Sequence, residues 1–158
     1  MSRLSGPVPL AIAVFVAMVA LAVPYGLSVR GEYQRFHDYE AATTRGDPAR
    51  LPWAAAAMAP EDCVTDAMAW VVACPGVSQL CMGALPDRMR GCIASQDRQP
   101  WCDAQGTAVY TTGLGYQDCE GRMQGLEGRA RKPVEKRCAG AWRALANHCV
   151  ALGARAVP

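Results

Sequence analysis

Apolar residues form one long block near the amino end of the chain. Residues 4–29 contain no charged side chain, and the segment 8–27, VPLAIAVFVAMVALAVPYGL, is apolar almost throughout. At about 1.5 Å of rise per residue, a helix of this length reaches across the roughly 30 Å hydrocarbon core of a bilayer. The pattern therefore predicts a transmembrane helix at 8–27, preceded by a short tail at 1–7.

The same block also has features of a cleaved secretory signal. Arg3 gives it a basic start, and the Ala20-Leu21-Ala22 triplet resembles a cleavage site. A retained anchor agrees better with the length of the block and with the absence of a polar region before the triplet. We therefore expect an anchor, with signal cleavage as the alternative.

After the apolar block the pattern becomes one of mixed charge. Tyr33, Phe36 and Glu40 recur at helical spacing, so we expect the helix to extend through 28–45. Residues 46–60, GDPARLPWAAAAMAP, contain three prolines and an alanine run. This composition predicts a strap that either lies extended on a partner or forms a disordered tether.

Two pairs of cysteines follow, and each pair is separated by ten residues. Cys63 with Cys74, and Cys81 with Cys92, are spaced so that eleven steps of 100° complete about three helical turns. Both members of each pair therefore share one helix face. Apolar residues continue that face between the sulfurs, namely Ala67 and Trp70 in the first segment and Leu85 and Met89 in the second.

Turn and capping residues frame these two segments. Pro60 precedes an acidic pair where the first helix should begin, and Pro75-Gly76 follows where it should end. Pro86 should kink the second helix or start a new one. Antiparallel folding about Pro75-Gly76 predicts a helical hairpin at 61–99, with disulfides Cys63–Cys92 and Cys74–Cys81.

The spacing of ten residues recurs at the end of the chain, in CAGAWRALANHC at 138–149. A stripe of Cys119, Met123 and Leu126 predicts a preceding helix that Lys132-Pro133 should end. We therefore expect a second helical hairpin at 100–158. Counting from its turn places Cys119 opposite Cys149 and leaves Cys102 to bond Cys138, although many other pairings are open.

The distribution of cysteines bears on the compartment. All eight lie in the last 96 residues, no C-x-x-C occurs, and only His37 and His148 could add nitrogen ligands. An even number of cysteines in a small domain favours disulfides in an oxidising compartment over a metal site. We therefore predict an all-α protein with one N-terminal transmembrane helix and a small disulfide-stapled helical-hairpin domain, and expect neither a metal nor another cofactor.

The paired cysteines resemble those of the coiled-coil-helix-coiled-coil-helix proteins of the mitochondrial intermembrane space, in which each helix carries a cysteine pair. The resemblance covers residues 60–93 and is repeated at 102–149. It implies a non-catalytic accessory subunit of a membrane complex, most plausibly a respiratory-chain complex. The cysteine-rich domain would lie in the intermembrane space at the mitochondrial inner membrane. A bacterial inner membrane with a periplasmic domain is the alternative.

Catalytic motifs for hydrolysis, phosphate binding, haem attachment or thiol exchange do not occur in the sequence, so we do not expect an enzyme. A copper or redox chaperone is the alternative function, because cysteine and methionine are soft ligands suited to cuprous ion. The candidates for such ligands are Cys81, Met82, Met68, Met89 and Met123. A secreted disulfide-rich binding module is a further alternative.

Charge indicates the partners. The formal net charge of +2 does not favour nucleic acid, and the expected partners are the lipid bilayer and other subunits of a membrane complex. The turn around Arg129, Arg131 and Lys132 is basic. It could contact an acidic partner or anionic lipid, or be an ordinary solvated turn.

Overall fold

Helices form the regular structure of residues 7–153, which are the residues that this computed structural model describes. The elements are α1 (Pro7–Thr43), a 3-10 turn (Pro48–Arg50), α2 (Pro52–Ala55), α3 (Pro60–Ala73), α4 (Ser78–Ala94), α5 (Gln99–Gln105), a second 3-10 turn (Gly106–Tyr110), α6 (Tyr116–Arg122) and α7 (Arg131–Ala151). The predicted all-α class is confirmed. Apart from Pro7, the predicted tail at 1–7 lies outside the described residues, as do the last five residues of the predicted second hairpin.

The long helix α1 joins the apolar block to the mixed-charge segment without a break. It is 37 residues long, continues through Pro24 and ends at Thr43, two residues before the predicted end. Its stretch from residue 11 onward is long and apolar enough to cross a membrane, and the most apolar window is fully exposed to solvent. The helix predicted at 8–27 therefore continues into 28–45, as expected, but only as far as Thr43.

Helices α3 and α4 form the predicted hairpin. Helix α3 begins with Pro60, and the Asp62 carboxylate accepts a hydrogen bond of 3.3 Å from the Ala59 N–H, which otherwise has no helical partner. Helix α4 runs through Pro86 as one element, so no new helix starts at this proline. Disulfides join Cys63 to Cys92 and Cys74 to Cys81, as the spacing predicts.

The segment 46–60 packs on its own domain rather than forming an extended strap. Pro48 and Pro52 each begin a short helical turn, because the fixed φ of proline suits the first position of a helix. Trp53 then inserts its ring against α4, where it is buried and where a Cβ on Gly91 would come within 2.9 Å of it. The burial of an aromatic ring explains why this proline-rich segment is held in place.

The second half of the chain has two disulfides, but their connectivity differs from the prediction. The bonds are Cys102–Cys149 and Cys119–Cys138, instead of Cys102–Cys138 and Cys119–Cys149. The prediction ended the first helix at Lys132-Pro133, whereas α6 ends at Arg122. The chain reverses over residues 123–130, so Cys119 meets the beginning of α7.

Two glycines and a proline account for this difference. Gly125 and Gly128 have φ of 76° and 54°, a region that other residues rarely adopt, so they bring the chain out of helical conformation well before Lys132. Pro133 lies in the first turn of α7, where its missing N–H costs no hydrogen bond. The proline therefore belongs to the start of a helix and not to the end of one.

Helix α7 packs against both α3 and α4, so the two halves of the chain share one core. Leu145 and Ala141 of α7 are fully buried there, and Gly140 allows close approach, because a Cβ at this position would lie 2.9 Å from Leu85. The second half is therefore not a separate hairpin. It is α7 with the short helices α5 and α6 bonded to it.

Candidate functional site

The carboxyl end of α1 docks on the turn of the α3–α4 hairpin. Phe36 is only 6% exposed and lies against Gly76, where an added Cβ would be 2.8 Å from the Cβ of the phenylalanine. Gly76 follows Pro75, so the turn that reverses the hairpin also provides the flat surface that receives Phe36. The helix that carries the apolar block is thereby attached to the folded domain.

We call the contact between the end of α1 and the α3–α4 hairpin the junction. One turn further along α1, polar groups add to it. The Tyr39 hydroxyl donates a hydrogen bond of 3.0 Å to the Trp70 carbonyl oxygen, and the Trp70 indole donates one of 2.6 Å to the Thr43 hydroxyl. The rings of Tyr39 and Trp70 are 5.2 Å apart. Burial raises the pKa of Tyr39 above 10.0, against the opposing effect of nearby Arg88, so the phenol stays protonated and can donate.

A buried arginine connects four elements at the junction. Arg88 of α4 is 4% exposed, and its guanidinium donates two hydrogen bonds, of 2.9 and 3.0 Å, to the Asp66 carboxylate of α3. It also donates to the Thr43 carbonyl at the end of α1 and lies 4.4 Å from the centroid of the Trp53 ring. The planar, permanently charged guanidinium suits this combination of bidentate pairing and stacking.

These contacts fix both the position and the direction of the domain relative to α1. Along α1, Thr43 contacts Arg88, Tyr39 contacts Trp70, and Phe36 contacts Gly76. Helix α3 therefore runs antiparallel to the end of α1, and the turn of the hairpin points back toward the apolar block. The junction consists of hydrogen bonds, an ion pair and aromatic contacts, which hold the domain in a fixed geometry relative to α1. Groups of these kinds have a structural role rather than a reactive one.

The cysteines cannot act as nucleophiles or metal ligands in this state. All eight are in disulfides, and none is free among the described residues. Asp118, Cys119 and Cys138 offer ligand atoms within 4.8 Å of one another. The two sulfurs are bonded to each other, however, and Asp118 accepts hydrogen bonds from Arg122 and Trp142, so the group has no thiolate to offer a metal.

The methionines named as soft copper ligands all belong to the hydrophobic core or pack against it. Met89 and Met123 are buried in the core, and Met68 and Met82 pack at its edge, whereas Cys81 is bonded to Cys74. Buried methionines fill gaps between helices, which is their ordinary structural role. Packing in the core therefore accounts for these methionines, and Cys81 has no thiolate to offer copper in this state.

Near the open end of the hairpin lie the buried Arg98 and the partly buried His148. Arg98 is 5% exposed, its Nε donates to the Ile93 carbonyl, and burial lowers its pKa while Glu61 opposes that effect. Burial and then the charge of Arg98 lower the pKa of His148 below 6.5, so the imidazole is neutral at pH 7. The neighbouring Cys149 is bonded to Cys102, so His148 has no thiol beside it to activate.

A surface groove of about 350 Å³ lies between α6, α7 and the loop before α6. Its lining is mainly apolar and aromatic, with Tyr116 and Trp142 among its walls. Of its acidic groups, Glu120 already pairs with Arg131 of the basic turn at 2.9 Å. The groove has the character of a contact surface for an apolar side chain.

Comparison with known protein families, with curated proteins and with solved structures finds no match to this chain. The geometry of the junction and of the disulfides is therefore what indicates a function for this chain.

Arg88 and Asp66 were not among the candidate residues from the sequence. Their positions carry a usable signal, because Asp66 lies on the helix face of Cys63 and Trp70, and Arg88 on the face of Leu85. A single charge on each of two apolar faces that meet across a hairpin indicates a buried ion pair.

Proposed function

We propose that the protein is a membrane-anchored, non-catalytic accessory subunit of a membrane protein complex. Its helix α1 crosses the bilayer, and its stapled domain is held at a set height and orientation against a partner on the oxidising side. The observation that carries the proposal is the continuity of α1, which passes from the exposed apolar block into the core of the domain through Phe36.

The rigidity of the junction supports this function over that of a flexibly tethered enzyme or carrier. A tether would leave residues between anchor and domain without burial, whereas Phe36, Glu40 and Trp53 are all buried. Signal cleavage near Ala22 would leave residues 23–35 as an exposed helical stub on a secreted domain. A retained anchor gives that segment a role.

The disulfides support an oxidising location, such as the intermembrane space or the periplasm. The twin-cysteine hairpin makes a respiratory complex the first candidate partner. A free copper or redox chaperone gains no support from the bonded cysteines, and would require their reduction before metal binding.

The test is extraction of native membranes with a mild detergent, followed by native gel electrophoresis and mass spectrometry of the band that contains this chain. We expect co-migration with a large assembly and a retained segment 8–27. A small soluble species that begins near Val23 would overturn the proposal and leave the secreted binding module in its place.

A pair of glycine variants tests whether the fixed junction matters. Gly76→Val places a side chain against Phe36, whereas Gly83→Val, on the exposed face of α4, meets no atom within 4 Å of its Cβ. We expect the first variant to remain in the membrane but to be lost from the assembly, and the second to behave as wild type. Retention of Gly76→Val in the assembly would show that domain orientation is not required.

A further inference from the structure

The junction determines which end of the domain faces the membrane. Because Phe36 contacts Gly76 while Thr43 contacts Arg88, the hairpin turn at 74–78 is the part of α3–α4 nearest the apolar block. Helix α7 begins beside this turn, since Pro133 and Lys136 line a cleft with Gly76 and Ser78. We call residues 72–80 and 129–137 the membrane-facing end.

The length of α1 places this end close to the bilayer. The last uncharged residue of the apolar block is Val29, and Phe36 follows seven residues later, which is about 10 Å along a helix. The headgroup layer extends roughly 5–8 Å beyond the hydrocarbon. Side chains on the turn and at the start of α7 can therefore reach the headgroups.

The chemistry of the membrane-facing end agrees with that position. Val72 and Val77 are 65% and 43% exposed, although both are apolar. Beside them, residues 129–137 carry Arg129, Arg131, Lys132, Lys136 and Arg137 against the single acid Glu135. Apolar tips surrounded by basic side chains are typical of surfaces that contact anionic lipid.

The opposite end of the hairpin has the reverse charge. The first turn of α3 exposes Glu61 and Asp62, and Asp97 is exposed in the loop after α4. The one basic residue in that loop, Arg98, is buried. The domain is therefore polarised along the direction set by α1, with its basic end toward the bilayer and its acidic end away from it.

We propose that the membrane-facing end binds the phosphates of anionic phospholipid headgroups. Between the hairpin turn and α7 lies a cleft of about 220 Å³, which Lys136 and Arg137 line together with Val71 and Met82. The Nε of Arg137 is itself buried and has no hydrogen-bond partner among the described residues. The exposed side chains of Arg129, Lys132 and Lys136 pair with the phosphates, and the exposed valines enter the headgroup layer.

This inference depends on the proposed membrane anchor, so the experiment reports on both. The full-length chain is reconstituted into nanodiscs of phosphatidylcholine alone, or with a quarter of phosphatidylglycerol. Backbone hydrogen exchange is then followed by mass spectrometry. We expect the backbone amides of the hairpin turn at 74–78 and of residues 124–134 to exchange at least about fivefold more slowly in the anionic discs than in the phosphatidylcholine discs. High salt should restore the faster exchange.

A charge-matched pair of triple variants identifies the responsible residues. The first neutralises three exposed basic residues of the membrane-facing end, through Arg129→Gln, Lys132→Gln and Lys136→Gln. The second neutralises three exposed arginines elsewhere, through Arg50→Gln, Arg90→Gln and Arg143→Gln. We expect the first triple variant to lose the protection seen in anionic discs, and the second to keep it.

The remaining outcomes separate the two proposals. A chain that inserts into both kinds of disc with equal exchange at the membrane-facing end retains its anchor but refutes the lipid contact. Protection that appears only in native membranes and follows a particular protein assigns the surface to that protein instead. A chain that fails to insert refutes the anchor, and the lipid contact with it.

Discussion

Replacement of Arg88 by methionine tests the junction most directly. Methionine keeps much of the apolar volume but removes the two hydrogen bonds to Asp66, the bond to the Thr43 carbonyl and the stacking on Trp53. The Asp66 side chain, 18% exposed, then loses its counter-charge inside the protein. The structure thus predicts a loss of stability much larger than that of a surface substitution.

The magnitude follows from the burial of the pair. Loss of one partner of a buried ion pair costs about 3–5 kcal/mol, and the partial exposure of Asp66 places this case near about 3 kcal/mol. Arg90→Met is a matched control two residues along α4, because Arg90 is exposed and pairs with Asp87 on the surface. That substitution should change the free energy of unfolding by no more than about 0.5 kcal/mol.

Denaturant unfolding of the full-length protein in detergent, followed by tryptophan fluorescence, measures both variants with the disulfides intact. Adding Asp66→Ala to Arg88→Met should recover stability, by about 1–2 kcal/mol, because it removes the uncompensated buried charge. The reasoning is refuted if Arg88→Met costs no more than Arg90→Met, or if Asp66→Ala destabilises the variant further.

Three other predictions test the second half of the chain. In Cys102→Ser, thiol labelling and peptide mapping should find Cys149 free, and labelling elsewhere would contradict the pairing. Because the pKa of His148 in the folded state lies below the 6.5 of the unfolded chain, wild-type stability is full above about pH 6.5 and falls as the pH decreases through that value. His148→Gln should remove this part of the pH dependence in thermal melts, and an unchanged slope would contradict it. Gly115→Ala should lower the free energy of unfolding by at least about 2 kcal/mol, since φ is 76° and the Cβ would overlap the Trp142 ring; a melting temperature equal to wild type would refute this.

The first hairpin was predictable because several local signals agree. Equal cysteine spacing on two helices, one Pro-Gly turn and an acidic helix start lead to the same pairing, which the structure has. The antiparallel alignment that pairs these cysteines across the turn also places Asp66 within one residue of Arg88. The buried ion pair could therefore have been predicted from the sequence, if the charged residues on apolar helix faces had been aligned in the same way as the cysteines.

The second half was less predictable because its helix ends depend on glycines rather than on periodicity. The stripe through Cys119, Met123 and Leu126 continues past the end of α6, and periodicity alone does not show that Gly125 and Gly128 adopt positive φ. The burial of Trp53 could not be predicted from the sequence pattern either, since its pocket is formed by residues that are distant in sequence. Tertiary contacts decide such positions.

The eleven-residue spacing of the cysteines also governs how the bonds form. If the domain reaches an oxidising compartment across a membrane, as proposed, Cys63 emerges just before Cys74, and an oxidant that joined cysteines in order of arrival would bond these two. Once α3 is helical, they lie about 16 Å apart, well beyond the roughly 7 Å limit between α-carbons for a disulfide. The same holds for Cys81 with Cys92. Helix formation thus prevents a disulfide between the two cysteines of one helix. Each cysteine can then form its bond only when the partner helix has packed beside it.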